Sequence, residues 1–117
     1  MAFVYSQLTP ITTIASSTPA AVYTNPASTT TYVRTIVIHN TNTTSETVTL
    51  YNVPDNAGAV GTSGATNQFY KQSVEADSTV ILEFAVPGIM LTDANDTLQA
   101  STTTASKVTI QITGGTE

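Results

Sequence analysis

Apolar and polar residues alternate with a period of two along much of this chain. Between positions 107 and 113 every second residue is apolar, and these residues are Val108, Ile110 and Ile112. The same pattern occurs in segments 47–51, 78–84 and 97–101. Successive side chains of a β-strand point to opposite faces, so this alternation predicts strands with one buried face.

The segment from Thr31 to His39 is apolar on both of its faces. Strict alternation places Arg34 on the same face as Ile36 and Ile38, and it places His39 on the opposite face with Val33 and Val37. Strands with two apolar faces are typical of the middle of a sheet that is covered on both sides. We therefore expect this segment to be a central strand, and we expect the stem of Arg34 to lie along a sheet surface.

Turn-forming residues separate the predicted strands, and no window has the spacing of apolar residues that an amphipathic helix requires. Clusters of Gly, Pro, Asn, Asp and Ser occur at 25–26, 40–45, 54–64, 75–78, 87–88 and 93–96. Six to eight short strands without significant helix indicate an all-β fold, an antiparallel β-sandwich of jelly-roll-like form. The longest irregular piece begins at Pro54, and loops of that length are commonly functional or disordered.

The first nineteen residues are apolar but are interrupted by Pro10 and Pro19. They could form an ordinary edge strand, or an extended arm that completes the sheet of a neighbouring subunit. The sequence leaves both possibilities open. We therefore divide the chain into residues 1–19, an N-terminal arm or edge strand, and residues 20–117, the β-sandwich domain.

Composition excludes several classes of function. Only 9% of the residues are charged, against about 25% in an ordinary domain, and threonine supplies about a fifth of the chain. The formal net charge is −5, and the three basic residues, Arg34, Lys71 and Lys107, are far apart in the sequence. Nucleic acid is therefore not an expected partner. The absence of cysteine excludes disulfides and thiol catalysis.

No membrane partner is expected, because no apolar run approaches the ~20 residues that a membrane-spanning helix needs. The N-terminus lacks a basic region, and Pro10 interrupts its apolar run, so a signal peptide is not expected either.

No catalytic or metal-binding constellation stands out. His39 is the only histidine, and without a nucleophile or further ligands in a recognisable pattern we interpret it as a surface or structural residue. For Arg34 we expect an ion pair with a carboxylate such as Glu46 or Glu83, the alternative being a contact with a partner subunit. We predict no catalytic residues, no metal site and no cofactor.

Three further groups could carry chemistry. The acidic segment 93–96 lacks the spacing of an EF-hand, so we interpret it as a turn whose Asp side chains bind backbone N–H groups. The aromatic pairs Phe3/Tyr5 and Phe69/Tyr70 could stack on sugars or bases, but core packing is the expected role. The sequons at Asn42 and Asn95 are consistent with chance in a threonine-rich chain.

Two long stretches resemble a recurring small virion structural protein of tailed bacteriophages. The first is VYTNPASTTTYVRTIVIHNTNTTSETVTLYNVP, and the second is EADSTVILEFAVPGIMLTDANDTLQASTTTASKVTIQITGGTE. The resemblance covers roughly residues 21–117 and leaves the N-terminal arm outside it. The family commonly has Gly before its D-T-L motif, where this chain has Asn95, a residue that also tolerates the left-handed conformation.

The resemblance implies a non-enzymatic all-β subunit of the phage particle, of the capsid cement or decoration type. Such a protein would be made in the host cytoplasm and would lie on the capsid surface of the virion. Its partners would be the major capsid protein and itself, as a homo-oligomer such as a trimer. The residues we expect at the interface are Phe3, Val4, Tyr5, Leu8, Val60 and Arg34.

Two alternatives stay open. The first is a head-to-tail, tail or fibre component built on the same kind of sandwich. The second is a carbohydrate-binding module with Tyr51 or Tyr70 in its aromatic platform.

Overall fold

Backbone pairing in the computed structural model, which describes residues 3–117, builds two antiparallel sheets and no helix within that range. The nine strands are β1 (Val4–Thr13), β2 (Ala20–Thr24), β3 (Thr31–Asn40), β4 (Glu46–Val53), β5 (Gln68–Val74), β6 (Thr79–Glu83), β7 (Ile89–Leu91), β8 (Thr97–Thr102) and β9 (Val108–Thr116). The predicted all-β sandwich is confirmed. The number of strands exceeds the predicted six to eight because β6 and β7 occupy one strand position, where each pairs with a different part of β3. None of the described residues belongs to a helix that could span a membrane.

The first strands of the chain pair with the last ones, and the middle strands pair with each other. β1 pairs with β9, β2 with β8, β3 with β6 and β7, and β4 with β5. This nested ribbon folds over on itself, so that β9 also pairs with β3 and β8 also pairs with β4. The result is sheet A, in the order β1-β9-β3-β6 with β7 beside β3, and sheet B, in the order β2-β8-β4-β5. This is the double-sheet arrangement of a jelly roll.

The core lies between the two sheets and is built by the residues that the alternation selected. Val108, Ile110 and Ile112 of β9 are buried, as are Val48 and Leu50 of β4. Each extends from the inner face of its sheet, as the period of two predicts.

Arg34 breaks the alternation of β3, and its predicted face was therefore wrong. Val33 pairs with Gly114 and Thr35 pairs with Thr113, so Arg34 is an extra residue in a β-bulge. The bulge changes the parity of the strand and brings Val33 into the core together with Ile36 and Ile38. Arg34 lies instead on the outer face of sheet A. That outer face is also open, although we expected β3 to be covered on both sides.

The outer face of sheet B is partly covered by the chain itself. The loop of residues 54–67 folds back so that the Gln99 side chain donates a hydrogen bond to the carbonyl of Gly61. Thr97 and Gln99, which the alternation points outwards, are consequently buried. This long loop is thus an ordered cover for sheet B.

The N-terminal segment forms the edge strand of sheet A in this structure. β1 pairs with β9 of the same chain, although two bulges interrupt the pairing on either side of Thr9. Immediately after β1, Ile14 is buried in the core, and its N–H group donates to the carbonyl of Val108. Residues 4–14 are therefore integrated into the sandwich.

We expect the core to respond to truncation far more strongly than the outer face. Replacing Ile38 by Ala should lower the free energy of unfolding by about 2–5 kcal/mol, because it leaves a cavity between the sheets. The matched change Ile81→Ala, on the paired strand β6 but 60% exposed, should cost about 1 kcal/mol or less. Urea unfolding of both variants measures the difference, and equal losses would contradict the assignment of faces.

Candidate interaction surface

A row of large side chains crosses the outer face of sheet A near the chain termini. The strand register aligns Tyr5 of β1, Gly115 of β9, Tyr32 of β3 and Met90 of β7. Gly115 has no side chain, and a Cβ there would lie 2.2 Å from Cζ of Phe3. The glycine therefore leaves the space that the Phe3 ring occupies.

Phe3 joins the row into an aromatic cluster. Its ring centroid lies 5.9 Å from that of Tyr5 and 5.6 Å from that of Tyr32, with interplanar angles of 78° and 56°. Phe3 is 43% exposed and Tyr5 is 62% exposed, so the expectation that this pair packs in the core was wrong. For the second pair the expectation is only half correct, because Tyr70 packs against the core and Phe69 is exposed.

A cleft lies beside this cluster, with a volume of about 300 Å³. Its lining residues are Phe3, Tyr32, Arg34, Val86, Pro87 and Glu117. The turn that carries Val86 and Pro87 can lie close to the bulge because Gly88 follows it, with φ at +92°. A Cβ at Gly88 would lie 2.2 Å from the carbonyl oxygen of Val33 and 3.1 Å from Cδ of Arg34.

The Arg34 guanidinium has no acceptor among residues 3–117. Its Nε atom is buried without a hydrogen bond, and the single ion pair found among the described residues joins His39 and Asp77. The predicted pairing of Arg34 with Glu46 or Glu83 is therefore wrong. The bulge is the cause, since it orients Arg34 into the cleft.

Tyr32 and Glu117 form a hydrogen-bonded part of the cleft wall. The Tyr32 hydroxyl donates a hydrogen bond to the Glu117 carboxylate. This hydrogen bond, together with burial and the nearby negative charge, raises the pKa of Tyr32. The hydroxyl therefore remains a neutral donor, and the Glu117 carboxylate is held against this wall.

The structure brings together half of the interface residues expected from the sequence. Phe3, Tyr5 and Arg34 meet on the outer face of sheet A, whereas Val60 lies in the loop that covers sheet B. Val4 is exposed, but it pairs with Thr116, one register position away from the row. Leu8 is partly buried and packs against the core.

Sequence reasoning missed the other members of this surface, Tyr32, Val86, Pro87, Met90 and Glu117. Part of the signal was available, because Val86 precedes a Pro-Gly turn, where an apolar side chain has no strand face to bury it.

His39 lies at the opposite end of sheet A. Its Nδ1 atom is 2.8 Å from Thr79 Oγ1, and its Nε2 atom is 3.4 Å from Asp77 Oδ1. The imidazole thus contacts a hydroxyl through one nitrogen and a carboxylate through the other, the set of groups found around an activated nucleophile. The Asp77 side chain is 89% exposed, however, so water competes for its oxygens and orients the imidazole weakly.

Three carboxylates approach one another in the loops at the termini end of the sandwich, those of Asp55, Asp93 and Asp96. Their oxygen atoms lie within 4.8 Å of one another, a spacing that could surround a cation. Asp96 is nevertheless already engaged: it accepts hydrogen bonds from the N–H groups of Asp55, Thr92 and Asp93. The predicted role of this segment, a turn held by Asp side chains, is confirmed.

A second buried carboxylate organises the opposite end. Glu46 accepts hydrogen bonds from the N–H of Thr104 and from the side-chain amide of Asn42. Burial on its own would raise the pKa of Glu46, but these hydrogen bonds outweigh it and hold the pKa below the ordinary value. The same balance between burial and backbone hydrogen bonds lowers the pKa of Asp96.

Comparisons with protein-family models, curated proteins and solved structures give no match to this chain. The outer face of sheet A and the motif resemblance are therefore the two features that indicate a function.

The lowered pKa of Asp96 predicts acid sensitivity. A carboxylate whose pKa is lower in the folded than in the unfolded state stabilises the fold fully above its ordinary pKa of 3.8, and this contribution is lost as pH falls through the folded value. We expect Asp96→Asn to cost about 1–3 kcal/mol at pH 7, because hydrogen bonds to a charged acceptor are weakened.

Urea unfolding at pH 7 and pH 3 checks this prediction. Asp96→Asn should lose less stability on acidification than the unmodified chain. The exposed control Asp77→Asn should lose as much stability as the unmodified chain. Parallel losses in the unmodified chain and in Asp96→Asn would contradict a stabilising Asp96 carboxylate.

Proposed function

We propose that this chain is a non-enzymatic virion structural protein of a tailed phage, a capsid cement or decoration protein. It binds the outer shell and stabilises contacts between coat subunits. The observation that carries the proposal is the group of exposed aromatic and apolar side chains at the Tyr32 end of the outer face of sheet A, on a protein in which only 9% of residues are charged. The motif resemblance supplies the phage context.

The two sheets present different outer surfaces. The loop of residues 54–67 covers part of sheet B, whereas Tyr5, Ile81, Val86 and Met90 are all exposed on or beside the outer face of sheet A. Exposed apolar groups that cluster in this way mark interaction sites in soluble proteins. Aromatic residues, Met and Arg are also the types enriched at protein interfaces. This composition favours a protein partner for sheet A.

The proposed mechanism is adhesive. Each copy buries a modest apolar area on the shell, and a copy that contacts two coat subunits at once gains from the effective concentration of the second site. Symmetric repetition over a shell multiplies the effect. Weak electrostatic repulsion between charge-poor copies permits close spacing.

Self-association is part of the proposal, and β1 offers one surface for it. Its outer edge has unpaired backbone groups, the requirement for strand addition. Pro10 and the two bulges limit a continuous ladder along this edge. We therefore assign the larger role in binding to the aromatic outer face.

A carbohydrate-binding module is the second candidate, and the aromatic cluster favours it. The platform would consist of Phe3 and Tyr5, because Tyr70 packs against the core and Tyr51 is only half-exposed. Sugar rings stack on flat faces, whereas the Phe3 ring is tilted by 56° and 78° against its neighbours. A head-to-tail, tail or fibre location would use the same outer face on a different part of the particle.

Cosedimentation with empty shells of the phage that encodes the chain tests the proposal. We expect saturable binding at a fixed ratio of chain to coat subunit. Tyr5→Ser should weaken this binding about tenfold or more, because aromatic anchors dominate interface energy.

Val60→Ser is the matched control for this experiment. It replaces an apolar residue of similar exposure, 50%, on the loop over sheet B, and it should leave binding unchanged. Equal loss in both variants would contradict the assignment to sheet A. Absence of shell binding, together with saturable binding of a glycan, would favour the second candidate.

A further inference from the structure

We propose that the cleft beside Arg34 binds an extended peptide segment of the partner protein, through one carboxylate and the apolar side chain next to it. This inference rests on the proposed function, because it specifies what the outer face of sheet A recognises. The cleft is the 300 Å³ space lined by Phe3, Tyr32, Arg34, Val86, Pro87 and Glu117.

Arg34 indicates that the bound segment carries a carboxylate. Among the described residues its guanidinium has no hydrogen-bond acceptor, and its Nε atom is shielded from solvent. The two terminal amino groups of the guanidinium are the donors within reach of a ligand, because they make no hydrogen bond to the described residues and are not enclosed as Nε is. The planar guanidinium matches a carboxylate with two parallel hydrogen bonds, which is the strongest form of such contacts.

The other residues that line the cleft indicate that the bound segment also carries an apolar side chain. The Phe3 ring, Val86 and Pro87 offer carbon surface around the guanidinium. A volume of about 300 Å³ is at the lower limit of ligand pockets, so it accommodates one large side chain together with its neighbouring carboxylate.

The shape of the cleft favours a peptide over a sugar. The Phe3 and Tyr32 rings are tilted by 56° against each other with their centroids 5.6 Å apart, so they offer no single flat face on which a hexose could stack. A side chain instead fits the cleft that these rings line together with Val86 and Pro87. The cleft also lies among the exposed apolar residues of sheet A, so an inserted side chain would be continuous with a larger protein contact.

Glu117 restricts where the ligand carboxylate can enter. Its side chain accepts a hydrogen bond from the Tyr32 hydroxyl and forms no ion pair with Arg34. Like charges repel, so the ligand carboxylate is directed to the Arg34 side, and a second carboxylate is disfavoured. The partner segment should therefore carry a single acidic residue beside its apolar one.

NMR titration of the ¹⁵N-labelled chain tests this inference without the phage shell. The probe is the capped dipeptide N-acetyl-Asp-Phe-amide, compared with N-acetyl-Asn-Phe-amide and with methyl glucuronide. We expect saturable shifts of the amide signals of Tyr32, Arg34 and Gly88, with a Kd of about 1 mM or tighter. The Asn peptide should bind about tenfold more weakly, because it cannot form the charge-assisted pair.

Matched variants locate the binding site. Arg34→Gln should remove the preference for Asp over Asn, whereas Lys71→Gln, the same loss of charge on sheet B, should retain it. Phe3→Ala should weaken binding of both peptides, and Phe69→Ala, which truncates a ring of similar exposure, should not. Unchanged signals of the remaining amides verify that each variant is folded.

Three results would overturn the inference: equal affinity for the Asp and Asn peptides, tighter binding of methyl glucuronide than of either peptide, or no binding of any probe. Shell binding by the chain without peptide binding would remove the peptide cleft and leave the proposed function in place. Peptide binding without shell binding would keep the peptide cleft and remove the proposed function.

Discussion

The position of β9 between β1 and β3 is the constraint on which the rest of the structure depends. β9 joins the first strand of the chain to the third, and this double pairing closes the folded ribbon into two sheets. The backbone groups of a central strand must be paired on both of its sides, and a shift of one residue would turn Ile110 and Ile112 out of the core. The register of β9 therefore determines both the core and the outer face of sheet A.

The candidate interaction surface is a consequence of that register. At the end of β9, Gly114 pairs beside the bulge that orients Arg34, and Gly115 leaves the space for the Phe3 ring. Phe3, Glu117 and the turn before β7 thus meet around one cleft. The opposite sheet is partly covered by its own loop, and the aromatic cluster lies at one end of the open face of sheet A. Under the proposed function, this end of sheet A is the part that binds the shell.

The regular parts of the fold could be predicted because alternation is a local property. The inner faces of β6 and β9 follow from their own residues, and Asn95 adopts the left-handed conformation that its side chain tolerates, with φ at 69°. Arg34 could not be placed, because a bulge depends on how β3 pairs with a strand over 70 residues away. The burial of Gln99 could not be predicted for a similar reason, since its cover comes from a distant loop. Phe3 and Tyr5 were expected at an interface because the N-terminal arm looked exposed and irregular, and Arg34 as an alternative partner contact, but only the fold brings Tyr32 and Glu117 to them.

The most direct test of the account is hydrogen–deuterium exchange of the free and the shell-bound chain, followed by peptide mapping. We predict that shell binding slows exchange in the first half of β1 and in the turn of residues 84–88, both of which border the aromatic outer face of sheet A. Exchange in the loop of residues 54–67 should not change. Protection confined to that loop, or no protection anywhere in the chain, would contradict the claim that the outer face of sheet A is the binding surface.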